Sequence, residues 1–198
     1  MTWCAILWLP KLSKPIMHMI KRGMKVVAKA LPFITPAHEV VVEINHDPWL
    51  VWYQPDEWQE KLAEIVRGSL SYVQWNFESE VSILLTDEEQ SRQLNHAYRG
   101  EDSPTNVLSF PAFTPEELRL LGKQQPSLIL GDIVLSLETV LKESKDQNKP
   151  FLNHLMHLTV HGTLHLLGYD HQLDAQAEQM ESIEVSVLSS LGVANPYQ

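Results

Sequence analysis

Pro150-Phe-Leu-Asn-His154-Leu-Met-His157-Leu-Thr-Val-His161-Gly-Thr-Leu-His165-Leu-Leu167 decides how this chain folds. The run is apolar almost all round, which predicts a helix over 150–167 at the centre of the molecule. His161 and His165 stand four residues apart, so their imidazoles project from one face about 6 Å apart along the axis. Gly168 follows, a residue able to turn left-handed, end the helix and bring Tyr169-Asp170-His171 back toward the pair. Three neutral imidazoles meeting with no fourth protein ligand evident match a catalytic zinc site with one open position. The reaction class this predicts is metal-assisted hydrolysis.

Spacing alone leaves the ligand register open, because His157 forms a second pair with His161 and His154 lies one turn earlier. A lone histidine on such a helix is most often a satisfied core or surface residue. His154 is read that way, and His157 as a partner that orients a ligand. His171 falls at the expected start of the last helix, whose positive end disfavours protonation and leaves a lone pair for metal. Asp170 either caps that helix or orients a ligand by accepting a ring N–H. Gly162 stands where the signature His-Glu-x-x-His requires a glutamate base, which argues against peptide hydrolysis by that route. A phosphodiester needs no such base when the activated water is itself the nucleophile.

Outward from this helix the chain reads as a small sheet and its covering helices. Strands are expected at 40–44, 81–85, 107–110 and 128–135, the last with Gly131 inside it, which predicts a bulge or a close approach. Helices are expected from an Asp56 cap to about Trp75, from a Thr86-Asp-Glu-Glu89 capping box to about Tyr98, and over 136–145, 150–167 and 175–191. Residues 112–127 read as a connection with a short helical turn. The predicted class is α+β: a small mixed four-stranded sheet packed with about five helices, the central one carrying the metal histidines.

With 198 residues and 44% apolar content, the chain can bury one real core. Cys4 is the single cysteine, which excludes an intramolecular disulfide framework or Cys-rich finger and suits a reducing cytoplasm. Histidine and carboxylate must supply any ligands. Residues 1–38 hold six of the 15 basic residues and none of the 25 acids, so 39–198 carries a formal charge of −16. So acidic a domain is not an obvious nucleic-acid binder; an RNA substrate would need a local positive groove, the metal or the basic tail. The apolar start Trp3–Leu9 is too short to span a membrane and lacks the preceding charge of a signal peptide. The expectation for 1–38 is a poorly ordered basic extension, or an upstream start with Met24 as the internal candidate. The alternative is a basic amphipathic segment. No stable membrane association is expected.

In Asn95-His-Ala-Tyr-Arg99-Gly-Glu-Asp-Ser-Pro-Thr-Asn-Val-Leu-Ser-Phe-Pro111, Arg99 before Gly100 is a common helix ending. Near a metal, its guanidinium would instead clamp phosphate and offset developing charge. Thr105, Asn106 and Ser109 could position substrate, though turn and strand-edge roles suit each. Asp132 reads as a turn or strand-end aspartate.

Three blocks together, Tyr98-Arg-Gly-x-Asp-x-Pro-Thr-Asn-Val-Leu-Ser-Phe-Pro111, Gly131-Asp-Ile-Val-Leu-Ser136 and His161-Gly-x-Leu-His-Leu-Leu-Gly-Tyr-Asp-His171, closely resemble the YbeY family. These are bacterial endoribonucleases that act as rRNA maturation factors, and the likeness covers about residues 40–190. The resemblance implies one metal per chain, usually zinc, at His161, His165 and His171, with Arg99 as the functional arginine. It implies cleavage of single-stranded RNA in rRNA maturation and ribosome quality control, with the small ribosomal subunit as a partner, in the cytoplasm. Arg99 and His161 are the catalytic candidates on this reading. Nickel or copper would also accept three imidazoles. A zinc amidase with its base elsewhere stays open. So does a non-catalytic ribosome assembly factor whose structural metal has a fourth ligand among His157, Asp174 and Glu178.

Overall fold

Val40, Val81, Ile83, Leu85, Ile133 and Leu135 are buried together on one side of a four-stranded sheet, and that side is the floor of the main core. The computed structural model describes residues 37–121 and 127–198. The expectation for residues 1–38 therefore lies almost wholly outside the described residues. The strands are β1 (His38–Ile44), β2 (Glu78–Thr86), β3 (Val107–Pro111) and β4 (Ser127–Ser136), in the order β1-β2-β4-β3. Strands β1, β2 and β4 run parallel, and β3 pairs antiparallel with β4 at the edge. The helices are α1 (Pro55–Tyr72), α2 (Glu88–Arg99), α3 (Pro115–Leu121), α4 (Leu137–Asp146), α5 (Phe151–Leu166) and α6 (Asp174–Ser190), with a 3₁₀ turn at Asp47–Val51. Among the described residues no helix is long and apolar enough to cross a membrane.

Gly131 carries both features expected of it. The β2–β4 register slips so that Glu80 pairs with Ile129 but Val81 with Gly131, leaving Leu130 as the extra residue. Because strand side chains alternate, the bulge changes which parity faces the core. Leu128 and Leu130 precede it in the main core, Ile133 and Leu135 follow it there, and Val134 turns to the opposite face. Gly131 sits at φ +138, and a Cβ there would lie 2.2 Å from the Phe110 carbonyl oxygen. Only glycine fits.

On the main face, α5 is buried between the sheet, α1, α4 and α6, with Leu155, Leu158, Val160, Leu164 and Leu166 in the core. The opposite face holds a smaller cluster, in which Leu94 and Tyr98 of α2 pack on Leu84, Leu108, Phe110 and Val134. Gln59 of α1 closes the open edge of β1: its Oε1 accepts the Val42 N–H at 3.0 Å and its Nε2 donates to the Val40 carbonyl.

The starts of α1 and α2 differ from the expectation. Gln54, not Asp56, caps α1: Pro55 supplies the fixed φ suited to the first turn, and the Glu57 carboxylate accepts the Gln54 N–H at 2.8 Å. That helix ends at Tyr72, short of Trp75. Thr86 is the last residue of β2, so the cap of α2 passes to Asp87, whose carboxylate accepts the Gln90 N–H at 2.7 Å.

Candidate metal centre

The last two turns of α5 carry His161 and His165, and the chain then reverses through a paired C-terminal cap. Gly168, at φ +87, donates its N–H to the His165 carbonyl at 2.9 Å, and Tyr169 donates to the Leu164 carbonyl at 3.1 Å. The turn delivers His171 to the helix pair. Its ring centroid lies 5.3 Å from that of His161 and 5.0 Å from that of His165, and those two rings are 4.3 Å apart. One ring nitrogen from each of the three falls within 4.8 Å of the others, so the cluster could hold a metal ion. Among the described residues no fourth donor joins it.

Several expectations about neighbours need correcting. The final helix starts at Asp174 with Leu173 as its cap, so His171 sits in the preceding loop and Asp170 is not the cap. Asp170 instead accepts the His171 backbone N–H at 2.7 Å, which pins the loop as it turns. Asp174 and Glu178 are exposed and stand outside the cluster. His157, expected as a partner rather than a ligand, bonds through Nε2 at 2.9 Å to Glu184, the carboxylate that also meets His161.

Hydrogen bonds on the far side of the two α5 rings fix where their protons lie. His165 Nδ1–H donates to the Tyr169 carbonyl at 2.9 Å, an oxygen that can only accept. His161 Nδ1–H donates to the Glu184 carboxylate at 2.8 Å. Burial alone would raise the Glu184 pKa, but the hydrogen bonds from His157 and His161 outweigh it and hold the carboxyl well below the usual carboxylate range. Burial pushes both imidazoles down, His165 to about 2 and His161 in the same direction against the pull of Glu184. Both rings are therefore neutral with their protons on Nδ1. Their Nε2 atoms face each other at 2.9 Å with a bare lone pair on each. Two such lone pairs repel; a cation shared between them turns the contact into coordination. The donor set fits a metal.

The other candidates fall into two groups. Arg99 is the last residue of α2, followed by Gly100 at φ +74, and makes no ion pair among the described residues. Tyr98 stacks edge-on against Phe110 at 5.1 Å, which puts this helix end beside the close of edge strand β3. On the other face of β3, the Ser109 hydroxyl points at the Gly162 carbonyl, 3.4 Å away. Thr105 is tied by its backbone to the Ser91 hydroxyl, so its loop is anchored on α2. Asn106 donates to Glu143 at 2.9 Å and accepts the Val107 N–H at 2.6 Å, and Glu143 also binds His154 at 2.8 Å. Those three form a structural tie between the β3 approach, α4 and α5. Asp132, buried on the face opposite α5, lies outside the cluster.

A family model described as Endoribonuclease YbeY matches residues 44–192. This chain belongs to that family. An Endoribonuclease YbeY of Bradyrhizobium sp. is 50% identical over 120 residues, covering 61% of this chain and 70% of that one. One from Acinetobacter baylyi is 46% identical over 138 residues, covering 69% and 85%, and one from Acinetobacter baumannii is 46% identical over 139 residues, covering 70% and 86%. The span matched by the YbeY model takes in Arg99, all three clustered histidines and Glu184.

Glu184 is the site residue that the sequence reading missed. A signal was there. Met180, Val187 and Leu188 form the buried stripe of α6, and a glutamate four residues after Met180 falls within that stripe.

Proposed function

We propose that this member of the YbeY family is a zinc-dependent endoribonuclease in which His161, His165 and His171 hold the ion and Arg99 engages the scissile phosphate. The observation that carries the reading is the meeting of the His161 and His165 Nε2 atoms at 2.9 Å, each ring tied through Nδ1 to an acceptor, with His171 brought against them. Three imidazoles with no fourth protein donor among the described residues is the ligand set of catalytic zinc more than of structural zinc. When bound, the ion supplies Lewis acidity, polarising a phosphoryl oxygen and acidifying a water molecule.

The protein's own groups do the rest. His161 and His165 are held on a helix packed into the core, so their ring positions are set before substrate arrives. Arg99 offers a planar pair of donors to a phosphate and offsets charge as it develops. Gly162 leaves the position of a peptidase base empty, in keeping with phosphodiester rather than peptide cleavage. The substrate class is single-stranded RNA, with rRNA on the small ribosomal subunit as the target the family membership suggests.

The test is metal analysis of wild type and His165→Ala beside a single-stranded RNA cleavage assay in one nuclease-free preparation. Metal content and cleavage should fall together. Undiminished cleavage by a metal-free His165→Ala protein would sink the proposal.

A further inference from the structure

Glu184 is 1% exposed, in the interior where α6 meets α5. A carboxylate removed from water is costly unless its lone pairs are filled, and here they are. Its Oε1 accepts His161 Nδ1–H at 2.8 Å; its Oε2 accepts His157 Nε2–H at 2.9 Å and the Tyr197 hydroxyl. Tyr197 lies in the segment after α6, which folds back so that its ring stands edge-on to His157 at 5.4 Å. Lys149 donates to the Pro196 carbonyl and pins that segment down.

The consequence for His161 follows from the chemistry of neutral imidazole. One ring nitrogen carries the proton and the other offers a lone pair, and the hydrogen bond on one side selects which. A free side-chain imidazole would exchange between the two forms. Next to an ionised carboxylate the proton stays on Nδ1, which leaves Nε2 as a lone pair aimed at His165 and His171. For His165 the same task falls to the Tyr169 backbone carbonyl, which no substitution at that position removes. For His161 it rests on a side chain.

We propose that Glu184 is a positioning residue that locks His161 in the Nδ1–H form, and that His157 and Tyr197 hold Glu184 in place for that purpose. This rests on the reading of His161, His165 and His171 as metal ligands. The last helix and the residues after it then act on metal affinity without touching the ion. A glutamate that merely tied α6 to α5 would affect stability and leave the tautomer of His161 alone.

The experiment uses the full chain, metal-free and then titrated with zinc against a chromophoric chelator, with long-range ¹H–¹⁵N spectra to read each imidazole. In wild type, His161 should be Nδ1–H before metal is added. Glu184→Leu, of similar bulk but with no acceptor, should let His161 populate the Nε2–H form and raise the zinc Kd about 10–100-fold. Glu184→Gln keeps an acceptor oxygen and should restore both the tautomer and the affinity to within a few-fold of wild type. A Glu184→Leu protein with wild-type zinc affinity and an unchanged His161 tautomer overturns the inference. So does an Nε2–H His161 in metal-free wild type, a measurement that stands even if Glu184→Leu does not fold. Failure of wild type itself to bind zinc would instead count against the metal reading, with the metal-free tautomer still judging Glu184.

Discussion

Gly162 of α5 lies so close to Ile133 of β4 that a Cβ at position 162 would sit 3.1 Å from Ile133 Cγ2 and 3.2 Å from Oγ of Ser109, its cross-strand neighbour. The residue after the first histidine therefore faces the sheet and not a cleft. That is the physical reason a metalloprotease glutamate has no place here. Gly162→Glu is expected to destabilise the fold by about 3–5 kcal/mol, through overpacking and a buried unpaired charge, without creating peptidase activity. Urea unfolding measures it, and a variant as stable as wild type would contradict the packing argument.

Arg99 has no ion-pair partner to lose among the described residues, and a Cβ at neighbouring Gly100 would meet nothing within 4 Å. Arg99→Ala should leave stability and metal content close to wild type while RNA cleavage falls about 10²–10³-fold. Arg99→Lys should recover only part of the loss, since an ammonium cannot make the paired contact with phosphate. Equal cleavage by Arg99→Ala and wild type would exclude Arg99 from the proposed reaction.

A ligand that binds only the folded state stabilises it by mass action. With zinc at 100 times its Kd the gain is about 2.7 kcal/mol, so a chelator should lower the thermal midpoint of wild type. The same chelator should leave His165→Ala unmoved. If both proteins respond alike, the ion sits somewhere other than the histidine cluster.

Asp132 is 4% exposed on the sheet face opposite α5, and one of its oxygens is buried with no hydrogen-bond partner. Burial pushes its carboxyl up from 3.8 to about 6; the Ser82 hydroxyl opposes the shift and Glu80 adds to it. The folded state thus favours the protonated form. That contribution is complete below the ordinary value of 3.8 and is lost as pH rises through about 6. Asp132→Asn should match wild type near pH 4 and exceed it by up to about 3 kcal/mol at pH 8. Denaturant curves at the two pH values decide it, and a gain that does not vary with pH would be the wrong outcome.

Much of the element plan was legible because local pattern and tertiary burial agree. Each of the four expected strands and five expected helices has its counterpart, and α3 supplies the short turn in the 112–127 connection. The misreadings fall at helix boundaries, most of them at the starts. Gln54, Asp87 and Leu173 take the caps; Asp87 does so because Thr86 is still paired in β2, a tertiary fact that local propensity does not see. The Gly131 bulge was readable as an irregularity, but its effect on parity along β4 was not. Which faces Asp132 and Ile133 take depends on the partner strand.

The sequence by itself determined the three histidines, their spacing and the glycine that turns the third back, since helix periodicity and left-handed glycine are local properties of the chain. Only the tertiary structure decided what His161 Nδ1 meets. Its partner is Glu184, 23 residues further along the chain, which reaches it across a helix interface at 2.8 Å. Contacts of that kind are set by how helices pack, and no local pattern around position 161 encodes them.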